Sequence, residues 1–191
     1  NIEEVEKGFQ NLARQSGFST QALSKLQRAT DGTVSSMQLM QQANNAMLLG
    51  IVDSEEQMAE LFDVSQRLAA ALGKDTAFGI ESMVTGLGRQ SKLMLDNLGI
   101  MVDVNKANED YAETLGISAN RLTDQQRKQA FVNAAMASAN NLVGQLGSET
   151  LSASDHIQAM KAALEELSIA FGTEFGDSVI NASQFESYRH D

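Results

Sequence analysis

Apolar residues recur along this chain at intervals of three and four, the spacing that lines one face of an α-helix. Met58, Leu61, Phe62, Ser65, Leu68, Ala69 and Leu72 follow it in a run that opens at Ser54. Ser54 with Gln57 three residues on has the form of a capping box, and Gly73 supplies a stop. Thr123 with Gln126 opens a second run, which carries Phe131, Ala134, Ala135, Ser138, Leu142 and Leu146 on one face as far as Gly147. A shorter helix is predicted over 104–115, with Val104, Ala107, Tyr111 and Leu115 inward. Val34, Met37, Met40, Ala43 and Met47 form one more stripe, read as core in preference to an adaptable methionine-lined groove. No segment offers the two-residue alternation of a strand, so the fold class is all-α.

Leu-Gly pairs punctuate these helices at 49–50, 72–73, 87–88, 98–99, 115–116 and 146–147, and Ile51, Ile100 and Ile117 follow three of them. Glycine just past a helix takes up the left-handed conformation without a Cβ clash, and an apolar residue after it can fold back on the last turn, as is expected of Ile100 onto Leu95. Residues 31–150 are therefore predicted to be a compact domain of short, glycine-terminated helices. The ends read differently, as longer coiled-coil-like helices. In 1–30, a heptad-like lead-in, Ile2, Val5, Phe9, Leu12, Ser16, Ser19, Leu23 and Leu26 keep a 3-4 spacing that Gly17 weakens. In 151–191, a helical extension with a less ordered C-terminal end, Ile157, Met160, Leu164, Leu167 and Phe171 do the same over two heptads. Coiled coils are secure over three to four heptads. Packing on the parent domain and self-association both remain open, and those five residues are the candidates for self-association.

Composition narrows the function classes. The chain has 191 residues, 42% hydrophobic and 20% charged, enough for one domain with a sizeable core. It holds no proline, where average usage predicts about nine or ten, and this favours long helical content. It has no cysteine, which removes disulfides and thiolate metal sites. A net charge of -11 without a basic block argues against a surface that tracks nucleic-acid phosphates. No apolar run approaches the roughly 18 residues of a membrane span, and neither a span nor a signal peptide is expected. The first residue is Asn1, as expected for a fragment of a longer chain.

Sequences that hint at chemistry give way to structural readings. Gly86-Leu87-Gly88-Arg89-Gln90-Ser91 begins like a dinucleotide fingerprint, but Ala77, Ile80, Val84 and Leu87 before it have helical spacing and Ser91 replaces the third glycine. Asp103-Val104-Asn105 begins like a calcium loop, yet Asn108 occupies the glycine position and Thr114 that of the bidentate glutamate. Asp103 and Asn105 are read instead as turn and cap residues before the next helix. His156 and His190 are the two histidines, and neither lies in a zinc or di-iron spacing. No nucleophile motif appears, and Glu55-Glu56 and Glu165-Glu166 read as solvated helix faces. Neither catalysis, nor a cofactor, nor a metal is expected.

The distinctive residues are then those of Gly86-Leu-Gly-Arg-Gln-Ser-Lys-Leu-Met-Leu-Asp-Asn-Leu-Gly-Ile100. This string resembles a recurrent segment of phage tail tape measure proteins. The likeness continues through Tyr111–Gly116, Leu122–Phe131, the upstream Leu68–Gly73 and the later Ile157–Leu164 with Ala170–Gly172, so that it covers roughly residues 25–175 as an ordered set. It implies a structural virion protein of the tail, concerned with tail assembly, length determination and genome ejection. The implied partners are other tape measure copies, the tail-tip or baseplate hub, the tail tube protein and tail assembly chaperones. The implied location is the tube lumen or tail tip, with the host cytoplasm during assembly, as a homo-oligomer with no sequence-specific nucleic acid and no membrane segment. A continuous helix of this length would reach about 290 Å at 1.5 Å per residue, which the Leu-Gly stops prevent over 31–150. The expectation is thus a compact piece beside the ruler that docks or initiates.

Within the signature, Gly86 and Gly88 are expected to be a bend or close-packing point. Leu95, Leu98, Gly99 and Ile100 are expected to form a helix stop, while Arg89, Gln90, Ser91 and Asp96 are interaction candidates, with an internal bridging role favoured for Arg89, Gln90 and Asp96. The alternative function is an autonomous helical adaptor or effector that binds a host or phage protein.

Overall fold

Most helices begin where a short polar side chain accepts from an amide of the first turn, as Asn1, Ser35, Ser54, Ser91, Asp103 and Thr123 do. The computed structural model describes residues 1–147 and 153–171, and among these it is built of helices with no strand. In order they are α1 (Ile2–Gln15), α2 (Ala22–Ala29), α3 (Ser36–Leu49), α4 (Glu55–Ala71), α5 (Thr76–Gly88), α6 (Lys92–Asp96), α7 (Val104–Leu115), a 3-10 turn (Ala119–Arg121), α8 (Asp124–Leu146) and α9 (Ala153–Phe171). Thr123 and Gln126 close a full capping box on α8, with hydrogen bonds of 3.2 and 2.9 Å. On α4 the box is opened by one residue. Ser54 accepts from the Gln57 amide at 3.1 Å, but the Gln57 carboxamide reaches back to the amide of Asp53 at 2.7 Å.

The stops follow one geometry. At Gly50, Gly73, Gly99 and Gly116 the backbone turns left-handed, and the next residue's amide donates to a carbonyl of the last helical turn. The pair at 87–88 departs from the expected pattern. Gly88 is the last residue of α5 itself, and the left-handed position is taken by Gln90 at φ 51°.

α4 lies at the centre and packs against α2, α5 and α8, while α1 lies on α3, α3 on α5, and α7 on α8. Met58, Leu61 and Phe62 of α4 meet Ile80, Met83 and Leu87 of α5 in a fully buried cluster. Each such side chain contributes about 1.5–3 kcal/mol on burial. The two backbones come close at Gly79, where a Cβ would stand 2.6 Å from the Ser65 carbonyl oxygen and 2.7 Å from the Ala69 Cβ. Only glycine fits that crossing.

Several expectations need correction. Residues 1–30 are not a separate lead-in: Phe9, Ala13, Ala22 and Leu26 belong to the same buried cluster as α3 to α5. Gly17 breaks the heptad-like run into α1 and α2, each of which folds onto the bundle. α7 buries Ala107 and Ala112, leaving Val104 and Leu115 exposed, because so short a helix touches α8 along a narrow strip. Leu72 and Leu146, at helix ends, are also exposed. The methionine stripe of α3 is core on its Val34, Met40 and Ala43 side, with Met37 and Met47 half-buried.

Candidate interaction site

The signature stretch builds a corner. α5 ends when the Ser91 amide donates to the Gly86 carbonyl at 2.8 Å. The Ser91 hydroxyl then accepts from the Met94 amide at 3.2 Å and starts α6. α6 is only five residues long; past it Gly99 turns left-handed at φ 73°, and the Ile100 amide donates to the Leu95 carbonyl at 3.1 Å. Leu95, Leu98 and Ile100 are all fully buried. The expected stop with its apolar clasp is therefore formed, and it folds α6 back on α5.

Gly86 and Gly88 supply the room. A Cβ on Gly86 would meet the Leu95 side chain at 2.6 Å, and one on Gly88 would collide with Leu49 at the end of α3. Both glycines lie inside α5 with apolar side chains seated on them, so no phosphate reaches their amides. Asp103 is likewise a cap, accepting from the Lys106 amide at 3.1 Å at the start of α7.

The polar members of the signature are not brought together. Arg89, Gln90 and Asp96 are exposed, and no side-chain bridge between segments is seen from them among the described residues. What the sequence did not single out is beside them. Leu93, on the outer side of α6, is 80% exposed, and Met101, between the buried Ile100 and Val102, is 81% exposed. The corner thus presents two apolar side chains to solvent around a buried clasp.

Two further polar contacts join elements distant in sequence. Glu55, in the first turn of α4, accepts from the Ser19 amide at 2.9 Å and its hydroxyl at 3.0 Å, with Lys25 at 3.2 Å. The Ser19 amide, with smaller help from its hydroxyl and Lys25, holds the Glu55 carboxyl below its ordinary value, and Glu55 in turn raises Lys25. At the other end of the bundle α9 lies across the starts of α3 and α5. Gln158 accepts from the Thr76 amide at 3.0 Å and Glu166 accepts from the Ser36 amide. Among the candidates for self-association, Met160 and Leu167 are 60% and 37% exposed and Leu164 is half-buried. The side chains of Ile157, His156 and Phe171, and all of His190, lie outside the described residues.

No known protein family matches the chain, and no solved structure matches it. Fold and site together define an all-α helical protein whose distinctive segment is an architectural corner. Among the described residues, no helix is long and apolar enough to cross a membrane.

Proposed function

We propose that this chain is a structural domain of a phage tail tape measure protein, one that docks or initiates at the tail tip or tube and leaves with the tape during genome ejection. The observation that carries the reading is the ordered likeness of residues 86–100 and the segments around them to that family. The form of the fold supports the docking role. Residues 2–147 contribute to one folded bundle instead of a rod, so their length does not translate into reach. The partners in this reading are proteins: other tape measure copies, the tail-tip or baseplate hub, the tube protein and, in the host cytoplasm, tail assembly chaperones. Leu93 and Met101 on the corner are the contact residues we assign to docking. The domain acts by position, and no catalytic residue, cofactor or metal enters the account.

Deletion of residues 2–147, the whole folded unit, from the parent gene tests this, with tail length measured by electron microscopy. Tails that assemble at reduced yield but keep their length are expected. Shortening in proportion to the residues removed would make this segment ordinary ruler and end the docking proposal. The adaptor reading has one observation in its favour, the same exposed pair on the corner. It predicts that Leu93→Glu with Met101→Glu leaves tail assembly untouched.

A further inference from the structure

α1 and α2 both lie on α3, but they do not pack closely on each other. The space between them is a cleft of about 420 Å³. Phe9 and Ala13 of α1 line one side, Phe18 and Leu23 the other, and Met40 of α3 lies beneath. Phe9, Ala13 and Met40 are buried, whereas Phe18 and Leu23 are half-buried. The turn between the two helices is fixed without filling the cleft. Gly17 turns left-handed at φ 73°, the Phe18 amide donates to the Ala13 carbonyl at 2.8 Å, and Ser19 is tied to Glu55. The lining is thus in place before any occupant arrives, which lowers the cost of binding.

Glu6 and Arg14 are the charged side chains that line the cleft. Both belong to α1, and their separation in sequence sets them about 12 Å apart along its axis, at opposite ends. Among the described residues Arg14 makes no hydrogen bond or ion pair. We infer that this cleft is a binding site for a small carboxylate with an unbranched apolar tail. Its volume falls within the range of pockets that take small molecules, about 300–1,000 Å³. Its lining shares their character, an apolar surround with few polar groups. The free guanidinium offers a planar pair of donors that matches a carboxylate. From there the tail runs past Phe9, Phe18, Leu23 and Met40, and the flexible thioether of Met40 adapts to it. Glu6 repels an anionic group at the far end and so fixes the direction in which the ligand lies. In a chain of net charge -11 a monoanion meets less repulsion than a dianion. The site is separate from the corner at 86–102, and it does not depend on the tail reading.

Isothermal titration of the full chain with decanoate, below the concentration at which micelles form, tests the inference. Saturable one-to-one binding is expected, with a melting temperature that rises as decanoate is added. Octanoate, two methylene groups shorter, is expected to bind about tenfold more weakly. Decylamine has a tail of the same length but a positive charge, and it should bind more weakly than decanoate in spite of the acidic chain. Arg14→Gln, at an exposed position, should weaken decanoate by roughly tenfold or more and leave decanol unchanged. Leu23→Asp puts a charge into the lining and should abolish the binding of both with unchanged far-UV circular dichroism. Absence of saturable decanoate binding overturns the inference. So does decylamine that binds as tightly as decanoate, or an Arg14→Gln chain that still prefers decanoate to decanol.

Discussion

The corner at 86–102 and the arm α9 both carry apolar residues at helical spacing, yet they use them in opposite ways. At the corner Leu95, Leu98 and Ile100 are driven inside, because Gly86 and Gly88 leave space that an apolar side chain can fill. On α9 Met160 and Leu167 stay exposed, and Gln158 and Glu166 accept from the first amides of two neighbouring helices. Spacing alone therefore decides that a face exists, and the partner surface decides whether it is buried. The difference also ranks the two regions in stability: the corner should open only with the whole bundle, and the arm should open by itself.

The largest expected effect breaks the corner. Leu95→Ala empties the space over Gly86 and is expected to cost about 2–5 kcal/mol in denaturant unfolding, whereas Met160→Ala on the arm leaves the midpoint unchanged. Gly79→Ala comes next. It forces a Cβ into the Ser65 carbonyl and should cost about 1–3 kcal/mol, in spite of the better helix propensity of alanine. A stabilised variant of that protein would show that α4 and α5 can slide apart. Gln90→Gly sharpens the account of the corner in the other direction. It removes a left-handed strain of about 1 kcal/mol and should raise the melting temperature.

A fourth test concerns pH. The Glu55 carboxyl is more acidic in the fold than free, first because the Ser19 amide donates to it. Its contribution to stability is thus complete above the ordinary carboxylate value of 4.5 and is lost as pH falls through the lower, folded value. The melting-temperature difference between wild type and Glu55→Gln is expected to shrink across that acid window and to stay constant near neutrality. The smallest global effect belongs to the arm. Gln158→Ala with Glu166→Ala should leave the melting transition in place while hydrogen exchange in α9 accelerates, and equal acceleration at the corner would contradict the ranking.

How much of this was legible depends on distance along the chain. The capping box at Thr123 and the clasp of Ile100 on Leu95 involve neighbours a few residues apart, and their signals are written locally. The Leu95 seat on Gly86 spans nine residues and was readable as close packing without its partner. Contacts made across the bundle left no sequence signal: Leu49 on Gly88, Ser65 against Gly79, and Glu166 on Ser36 each join residues whose meeting only the assembled fold decides. The Leu-Gly pair at 87–88 misled for that reason. Gly88 is needed where α3 approaches, so α5 continues through it and Gln90 takes the turn. Likewise α1 looked like a lead-in because nothing local says that Phe9 and Ala13 will find α3.

Central to the account is a domain that contributes position and not length. Tandem duplication of residues 2–147 within the parent gene, followed by measurement of tail length, tests it most directly, because each copy keeps its own core. The account predicts tails of unchanged length. Lengthening by about 220 Å, the reach of the added residues at 1.5 Å each, would contradict it.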